Sequence, residues 1–79
     1  MTVDVILSAD DARRIAAERA AAEGWPFDEP VDVRRRRSLP LVGGWRWHVL
    51  SNANARGRNV RIEIDARTGA VLACAFAPR

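Results

Sequence analysis

The first third of this sequence contains one stretch with the pattern of a helix, and the residues after position 31 alternate in the manner of β-strands. Residues 9–23 are rich in alanine and contain neither glycine nor proline, which favours a helix. Ser8 is a suitable N-cap, and the two aspartates that follow it suit the positive end of the helix dipole. Gly24 is a typical C-terminal stop. The sequence therefore predicts a helix over residues 9–23.

The apolar face of this helix is predicted to consist mainly of small side chains that let it lie close to a sheet. Helical spacing places on this face Ala9, Ala12, Ile15, Ala16 and Ala22. Arg19 falls near the middle of the same stripe. We expect its aliphatic stem to pack and its guanidinium to reach solvent at the edge.

Four stretches after the helix have the composition and alternation of strands, and they cover residues 31–37, 45–51, 59–65 and 70–77. Their short connections favour an antiparallel meander. The predicted fold class is therefore α+β, with one N-terminal helix packed on a three- to four-stranded antiparallel β-meander. Residues 1–79 are expected to form a single domain, because smaller pieces could not bury a core. Residues 2–7 fit an additional edge strand and a loop equally well.

Parity within the strands predicts which side chains face the core. Trp45, Trp47 and Val49 share one face, and in the third strand the aliphatic residues alternate with charged ones. The outward Glu63 and Asp65 are expected to pair with arginines of neighbouring strands. Gly69, in the turn between the last two predicted strands, suits a positive φ. Trp25 and Phe27, in the connector between the helix and the first predicted strand, are expected to cover one end of the core.

Charge is distributed unevenly along the chain. Residues 1–32 hold eight acidic residues and three arginines, whereas residues 33–79 hold ten arginines and two acidic residues. All thirteen basic residues are arginine, which is typical of a GC-rich bacterial genome. The asymmetry fits either an acidic partner for the second half or pairing between the two halves.

Composition excludes several classes of protein. With one histidine and one cysteine, Cys74, the chain has no internal disulfide and too few ligands for a zinc site, so no cofactor or metal is expected. No stretch approaches the roughly 20 apolar residues of a membrane span, and no membrane partner is expected. The amino terminus lacks the features of a signal peptide. These features predict a cytoplasmic location, or a periplasmic or secreted one if the sequence was shortened at its amino terminus.

Two motifs resemble a known family. The stretch Ser8-Ala9-Asp10-Asp11-Ala12 and the stretch Ile62-Glu63-Ile64-Asp65-Ala66-Arg67-Thr68-Gly69-Ala70-Val71-Leu72 are similar to the capped helix and the strand–turn–strand pattern of the PepSY domain. This small module is named for peptidase propeptides and a spore-cortex protein. The resemblance covers about residues 8–73. It implies a non-enzymatic binding or inhibitory domain that acts on another protein, such as a peptidase.

The residues themselves give little support to catalysis. The serine and threonine hydroxyls have no base at a suggestive spacing, Ser8 and Thr68 are explained as a cap and a turn residue, and Cys74 lies inside a strand. We therefore predict that the protein is not an enzyme.

A run of four arginines at positions 34–37 raises the question of what they contact. In a strand their side chains alternate between the two faces, and a charged edge strand also protects a sheet against aggregation. We predict that the partner is a protein with an acidic surface or a second copy of the chain, because arginine and tryptophan are enriched at such contacts. An arginine-rich surface that binds nucleic acid, with tryptophans stacking on bases, is the alternative. The candidate contact residues are Arg35, Arg37, Trp45, Trp47, Arg56 and Arg58.

Overall fold

The computed structural model describes residues 7–37, 44–55 and 57–77. One helix, α1 (Ala9–Glu23), precedes four strands: β1 (Asp32–Arg37), β2 (Trp45–Leu50), β3 (Asn59–Asp65) and β4 (Val71–Ala77). The strands form one antiparallel sheet in the order β1-β2-β3-β4. The predicted α+β meander is confirmed. In the part of the chain described here, no helix is long and apolar enough to cross a membrane.

Both predicted ends of α1 are confirmed. The Ser8 hydroxyl accepts a hydrogen bond from the backbone N–H of Asp11 at 3.1 Å, and the Asp11 carboxylate accepts one from the N–H of Ser8 at 3.3 Å, which completes a capping box. The bond from the Ser8 N–H lowers the pKa of Asp11 below its ordinary value. Gly24 ends the helix with a φ of 77°.

The apolar stripe of α1 is narrower than predicted. Ala12, Ala16 and Ala20 are fully buried, and Ile15 is half-buried. The prediction was wrong for Ala9 and Ala22, which are exposed. Residues four apart lie on the same side of a helix, so the side of α1 that contacts the sheet carries Ala12, Ala16 and Ala20. Ala22 lies on another side. Arg19 is exposed as a result, and its Nε lies 3.2 Å from the Glu23 carboxylate.

The core lies between α1 and one face of the sheet, here named the helix side. Val49, Val60, Ile62 and Ile64 are almost completely buried there, as parity predicted. Burying each such side chain stabilises a fold by roughly 1.5–3 kcal/mol. The helix packs against β1, β2 and β3.

The connector between α1 and β1 closes one end of this core. Trp25 stacks on Phe76 of β4, with ring centroids 5.9 Å apart, and both rings pack against the core together with Phe27. The placement predicted for Trp25 and Phe27 is confirmed.

Polar side chains fix the connection between β2 and β3. Ser51 is fully buried, and its hydroxyl accepts a hydrogen bond from the N–H of Val60 at 2.9 Å. The Asn59 amide donates to the carbonyls of Ser51 and Asn52, both at 2.9 Å, and its oxygen accepts from the N–H of Gly57 at 2.9 Å. The loop is therefore held by its own side chains.

The turn between β3 and β4 corrects one predicted contact. Within the described residues, Asp65 does not pair with an arginine across the strands. Its Oδ1 instead accepts hydrogen bonds from the backbone N–H groups of Arg67 at 2.8 Å and Thr68 at 3.1 Å. These bonds lower the pKa of Asp65 below its ordinary value. Asp65 begins the turn, and turn amides lie closer to it than the arginine of β2. Gly69 has the predicted positive φ, 79°.

The predicted alternatives for residues 2–7 fall outside the described residues, apart from Leu7. The Leu7 N–H donates to the carbonyl of Ala66 at 2.7 Å, which ties the chain before α1 to the turn after β3.

Candidate functional site

The arginine run forms an edge of the sheet. Among the described residues, β1 has a neighbouring strand only on its β2 side. Its four arginines, here named the arginine edge (Arg34–Arg37), are all exposed. The register places Arg35 opposite Trp47 and Arg37 opposite Trp45, on the helix side. The other two arginines face the opposite surface, here named the open side. A partner at this edge therefore meets cations above and below the sheet.

On the helix side, two arginines lie over tryptophan rings. The Arg35 guanidinium carbon is 4.8 Å from the centre of the Trp45 ring, and that of Arg37 is 5.6 Å from the same ring. Arg35 also lies 6.0 Å from the ring of Trp47. These distances are within the range of cation–π contacts. Four of the six predicted contact residues are thus brought together.

Trp47 belongs to the core rather than to the surface. Its side chain is only 8% exposed, and its indole N–H donates to the carbonyl of Leu7 at 3.0 Å. Trp45 is half-buried, with arginines over its ring. Base stacking needs an open ring face. Trp47 is too buried to offer one, and among the described residues arginines lie over the Trp45 ring.

On the open side, some of the arginines are paired and some are not. Arg34 lies 2.9 Å from Asp32, and Arg46 lies 2.9 Å from Glu63, which confirms the pairing predicted for Glu63. Within the described part of the chain, Arg36 and Arg61 have no carboxylate within 4.0 Å. They border a depression of about 490 Å³.

Among the described residues, few ion pairs join the two halves of the chain. The arginines of α1 pair with carboxylates of the same half of the chain, as in the contact of 2.6 Å between Arg13 and Glu29. Two ion pairs among the described residues join residues 1–32 to residues 33–79: Asp32 with Arg34, and Asp28 with Arg58 at 4.0 Å. The arginines left without a carboxylate in the described part are Arg35, Arg36, Arg37 and Arg61. Four of the ten arginines of the second half are therefore open to a carboxylate of a partner.

The remaining two predicted contact residues do not join this cluster. Arg56 lies outside the described residues. Arg58 belongs to the loop after β2, and β2 begins beside Arg37 and ends beside Asp32, so Arg58 lies at the opposite end of the sheet. The loop also rests on the connector, where the N–H of Asn52 donates to the carbonyl of Asp28 at 2.7 Å. The structure therefore separates Arg58 from the arginine edge.

The candidate set omitted the arginines of the open side. Alternation along a strand already places Arg34 and Arg36 on the face opposite to that of Arg35 and Arg37. The sequence of the run was therefore enough to predict which face they occupy. Arg61 could not be assigned in the same way, because its closeness to the depression depends on the pairing of Leu50 with Arg61 across β2 and β3.

Hydroxyl and imidazole groups, which could take part in catalysis, are engaged in contacts within the fold. The hydroxyl of Ser51 is held in the core, and the Thr68 hydroxyl accepts from the N–H of Ala70 at 3.2 Å. His48 lies on the open side, with its Nε2 3.9 Å from Glu63. No group of three or more potential metal-ligating side chains occurs within residues 7–37, 44–55 and 57–77.

No protein-family model matches this chain, and no curated protein or solved structure matches it. The likeness to the PepSY domain therefore rests on the two stretches of sequence described above.

Proposed function

We propose that this protein is a non-enzymatic binding module that docks on an acidic segment of another protein. The contact surface in this proposal is the arginine edge, with Arg61 beside it on the open side. The observation that carries the proposal is a group of exposed arginines without a carboxylate partner along a strand that, in the described part of the chain, pairs only with β2.

Electrostatics favours an acidic partner for this surface. A guanidinium is permanently charged and matches a carboxylate through two parallel hydrogen bonds. Arg35, Arg36 and Arg37 have their N–H donors free of carboxylates in the described part of the chain, so a partner breaks no ion pair when it binds them. Like charges held close together on one strand also repel one another, and bound carboxylates would relieve that repulsion.

Strand geometry favours an extended partner segment. An edge strand presents a row of unpaired backbone N–H and C=O groups, and a bound peptide can add to it as a further strand. Consecutive side chains of such a peptide alternate between the two faces of the sheet, as do the four arginines of β1. A run of consecutive acidic residues would therefore meet Arg34 and Arg36 on one face and Arg35 and Arg37 on the other.

The nucleic-acid alternative is less well supported. Phosphate would also be attracted to these arginines, but sequence-tolerant binding of single strands relies on open aromatic faces. Trp47 is buried, and arginines lie over Trp45.

The resemblance to the PepSY domain suggests one class of partner. It favours a peptidase, whose acidic surface or substrate channel the module would contact and inhibit. A direct test mixes the protein with candidate peptidases from the same genome and measures both complex formation and residual activity.

A binding titration tests the acidic-segment proposal without a known partner. The probes are a labelled peptide with consecutive glutamates flanked by valine and threonine, and a labelled oligothymidylate of matched length, both followed by fluorescence anisotropy. We expect binding of the peptide that weakens with added salt, because exposed ion pairs are screened. Tighter binding of the oligothymidylate would favour the nucleic-acid alternative.

Two double variants with the same change in charge provide the control. Exposed ion pairs contribute roughly 0.2–1 kcal/mol each, so R35Q/R37Q should weaken peptide binding on the order of two- to thirtyfold. R14Q/R19Q alters arginines on α1 and should leave binding nearly unchanged. Equal weakening by both variants would show attraction to net charge alone and would overturn the proposed site.

A further inference from the structure

The two edges of the sheet differ completely in their chemistry. β1 carries the four exposed arginines, whereas β4 reads Val-Leu-Ala-Cys-Ala-Phe-Ala and contains no charged residue and no proline. Natural edge strands are usually protected by charge, proline, a bulge, a cover or short length. β4 is seven residues long, and α1 packs on the other three strands. Within the described residues, β4 pairs only with β3, and apart from the register shift near its start this edge has neither charge nor proline to prevent strand pairing.

The exposed apolar surface also lies at this edge. Leu72 is the large hydrophobic residue that is exposed among the residues described, at 45%. It lies where the β3–β4 register shifts, between the pairs Ile64–Val71 and Glu63–Ala73. The other exposed residues of β4 are Ala73, Ala75 and Ala77, so the exposed surface of this strand is apolar along its length. Contiguous exposed apolar surface favours association.

We propose that β4 pairs antiparallel with β4 of a second copy of this chain and forms a continuous eight-stranded sheet across a twofold axis. Charge selects this pairing among the three combinations of edges. Two copies of β1 would set arginine against arginine, and β1 against β4 would leave free edges and propagate as an open filament. Two copies of β4 bring no like charges together and close the assembly.

Two copies of β4 can pair antiparallel over the full length of the strand, residues 71–77. In that register Cys74 lies opposite Cys74 of the second copy. Leu72 then lies opposite Phe76 of the second copy, and Ala73 lies opposite Ala75. A twofold axis perpendicular to the sheet keeps both helices on the same face. It also places the two arginine edges at the outer ends, where they stay free for partners.

The single cysteine provides a test of this register. Paired residues in antiparallel strands have Cα atoms about 4.5–5.5 Å apart, which lies within the range of about 4.4–6.8 Å found for disulfides. Mild oxidation should therefore convert the protein to a covalent dimer on a non-reducing gel. Mass measurement by light scattering under reducing conditions should show the dimer without the crosslink, in increasing proportion as the protein concentration rises.

Cysteine variants at neighbouring positions distinguish a crosslink formed in the proposed register from a random one. In the C74S background, A73C and A75C each place the thiol about 7–8 Å from its own copy, so either protein alone should crosslink poorly. A mixture of the two should crosslink efficiently, because positions 73 and 75 face each other. Equal crosslinking of each variant alone would overturn the proposed register.

A charge-swap experiment tests the interface without any cysteine chemistry. A73K/A75K sets two pairs of like charges across the axis and should yield a monomer, as should A73E/A75E. An equimolar mixture of the two should recover a dimer. A wild-type protein that stays monomeric at every concentration tested, or a dimer that persists in both charged variants, would overturn the proposal.

Discussion

Two glycines with nearly the same backbone conformation allow backbone strain to be separated from packing. Gly24 ends α1 with a φ of 77°, and Gly69 lies in the β3–β4 turn with a φ of 79°. Their surroundings differ. A Cβ at Gly24 would meet no atom within 4 Å, whereas a Cβ at Gly69 would lie 3.3 Å from the Ile15 side chain and 3.4 Å from that of Leu7.

The expected magnitudes follow from this difference. An alanine at positive φ costs about 1–2 kcal/mol in the folded state and recovers about 0.4–1 kcal/mol by restricting the unfolded chain. Gly24→Ala should therefore lower the free energy of unfolding by about 1 kcal/mol. Gly69→Ala should lower it by about 2 kcal/mol, because the end of the Ile15 side chain must also shift to make room for the Cβ. Gly69→Val should cost more, since β-branched residues disfavour positive φ.

Thermal and urea unfolding followed by circular dichroism would measure both variants. At this chain length about 1 kcal/mol corresponds to roughly 4–8 °C in Tm, so Gly69→Ala should melt at least that far below Gly24→Ala. An equal loss in the two variants would refute the claim that the β3–β4 turn packs closely on α1 and Leu7. A larger loss for Gly24→Ala would refute it as well.

Three further predictions concern the polar groups that hold the loops. Ser51→Ala should lower the free energy of unfolding by about 1–3 kcal/mol in urea titrations, because it leaves the N–H of Val60 buried without its acceptor. Asn59→Asp should destabilise the protein more than Asn59→Ala in the same titration, because an aspartate presents an anion to the carbonyls that now accept from the amide. The pKa of Asp65 is lower in the folded state, so its stabilisation is present above its unfolded pKa and is lost as pH falls through the folded value. Unfolding midpoints measured from neutral pH downward should therefore fall in the acid range, and Asp65→Asn should flatten that fall.

The fold was largely predictable because local signals agreed with one another. The cap at Ser8, the stop at Gly24 and the alternation through Val60, Ile62 and Ile64 each specify structure within a few residues. Periodicity alone did not distinguish Ala20 from Ala22, because alanines lie on more than one side of α1. The direction in which a helix crosses a sheet decides which row of alanines is buried, and that direction is a tertiary property.

The site was predictable only in part, for the same reason. Parity correctly placed Arg35 and Arg37 on the face of Trp45 and Trp47. The burial of Trp47 under its bond to Leu7 depends on residues forty positions apart in sequence. The separation of Arg58 from the arginine edge likewise follows from strand order, which the composition of the loop does not encode.

The two proposals assign different tasks to the two edges of one sheet. β4 would hold a second copy through neutral apolar contacts, and the arginine edge would remain free at each end of the assembly. A dimer would then present two equivalent basic edges to an acidic partner. Their tests are independent, because the charge-swap variants of β4 leave every arginine in place.

The most direct test of the arginine edge is a nuclear magnetic resonance titration with the consecutive-glutamate peptide, followed through backbone amide resonances. We expect the largest shifts in β1, with its outward amides becoming protected from solvent exchange as a peptide strand pairs with them. The R35Q/R37Q and R34Q/R36Q variants should both reduce these shifts, since an added strand meets arginines on both faces. Shifts confined to α1 or to the loop containing Arg58, or a loss in only one of the two variants, would contradict an acidic segment bound along the β1 edge.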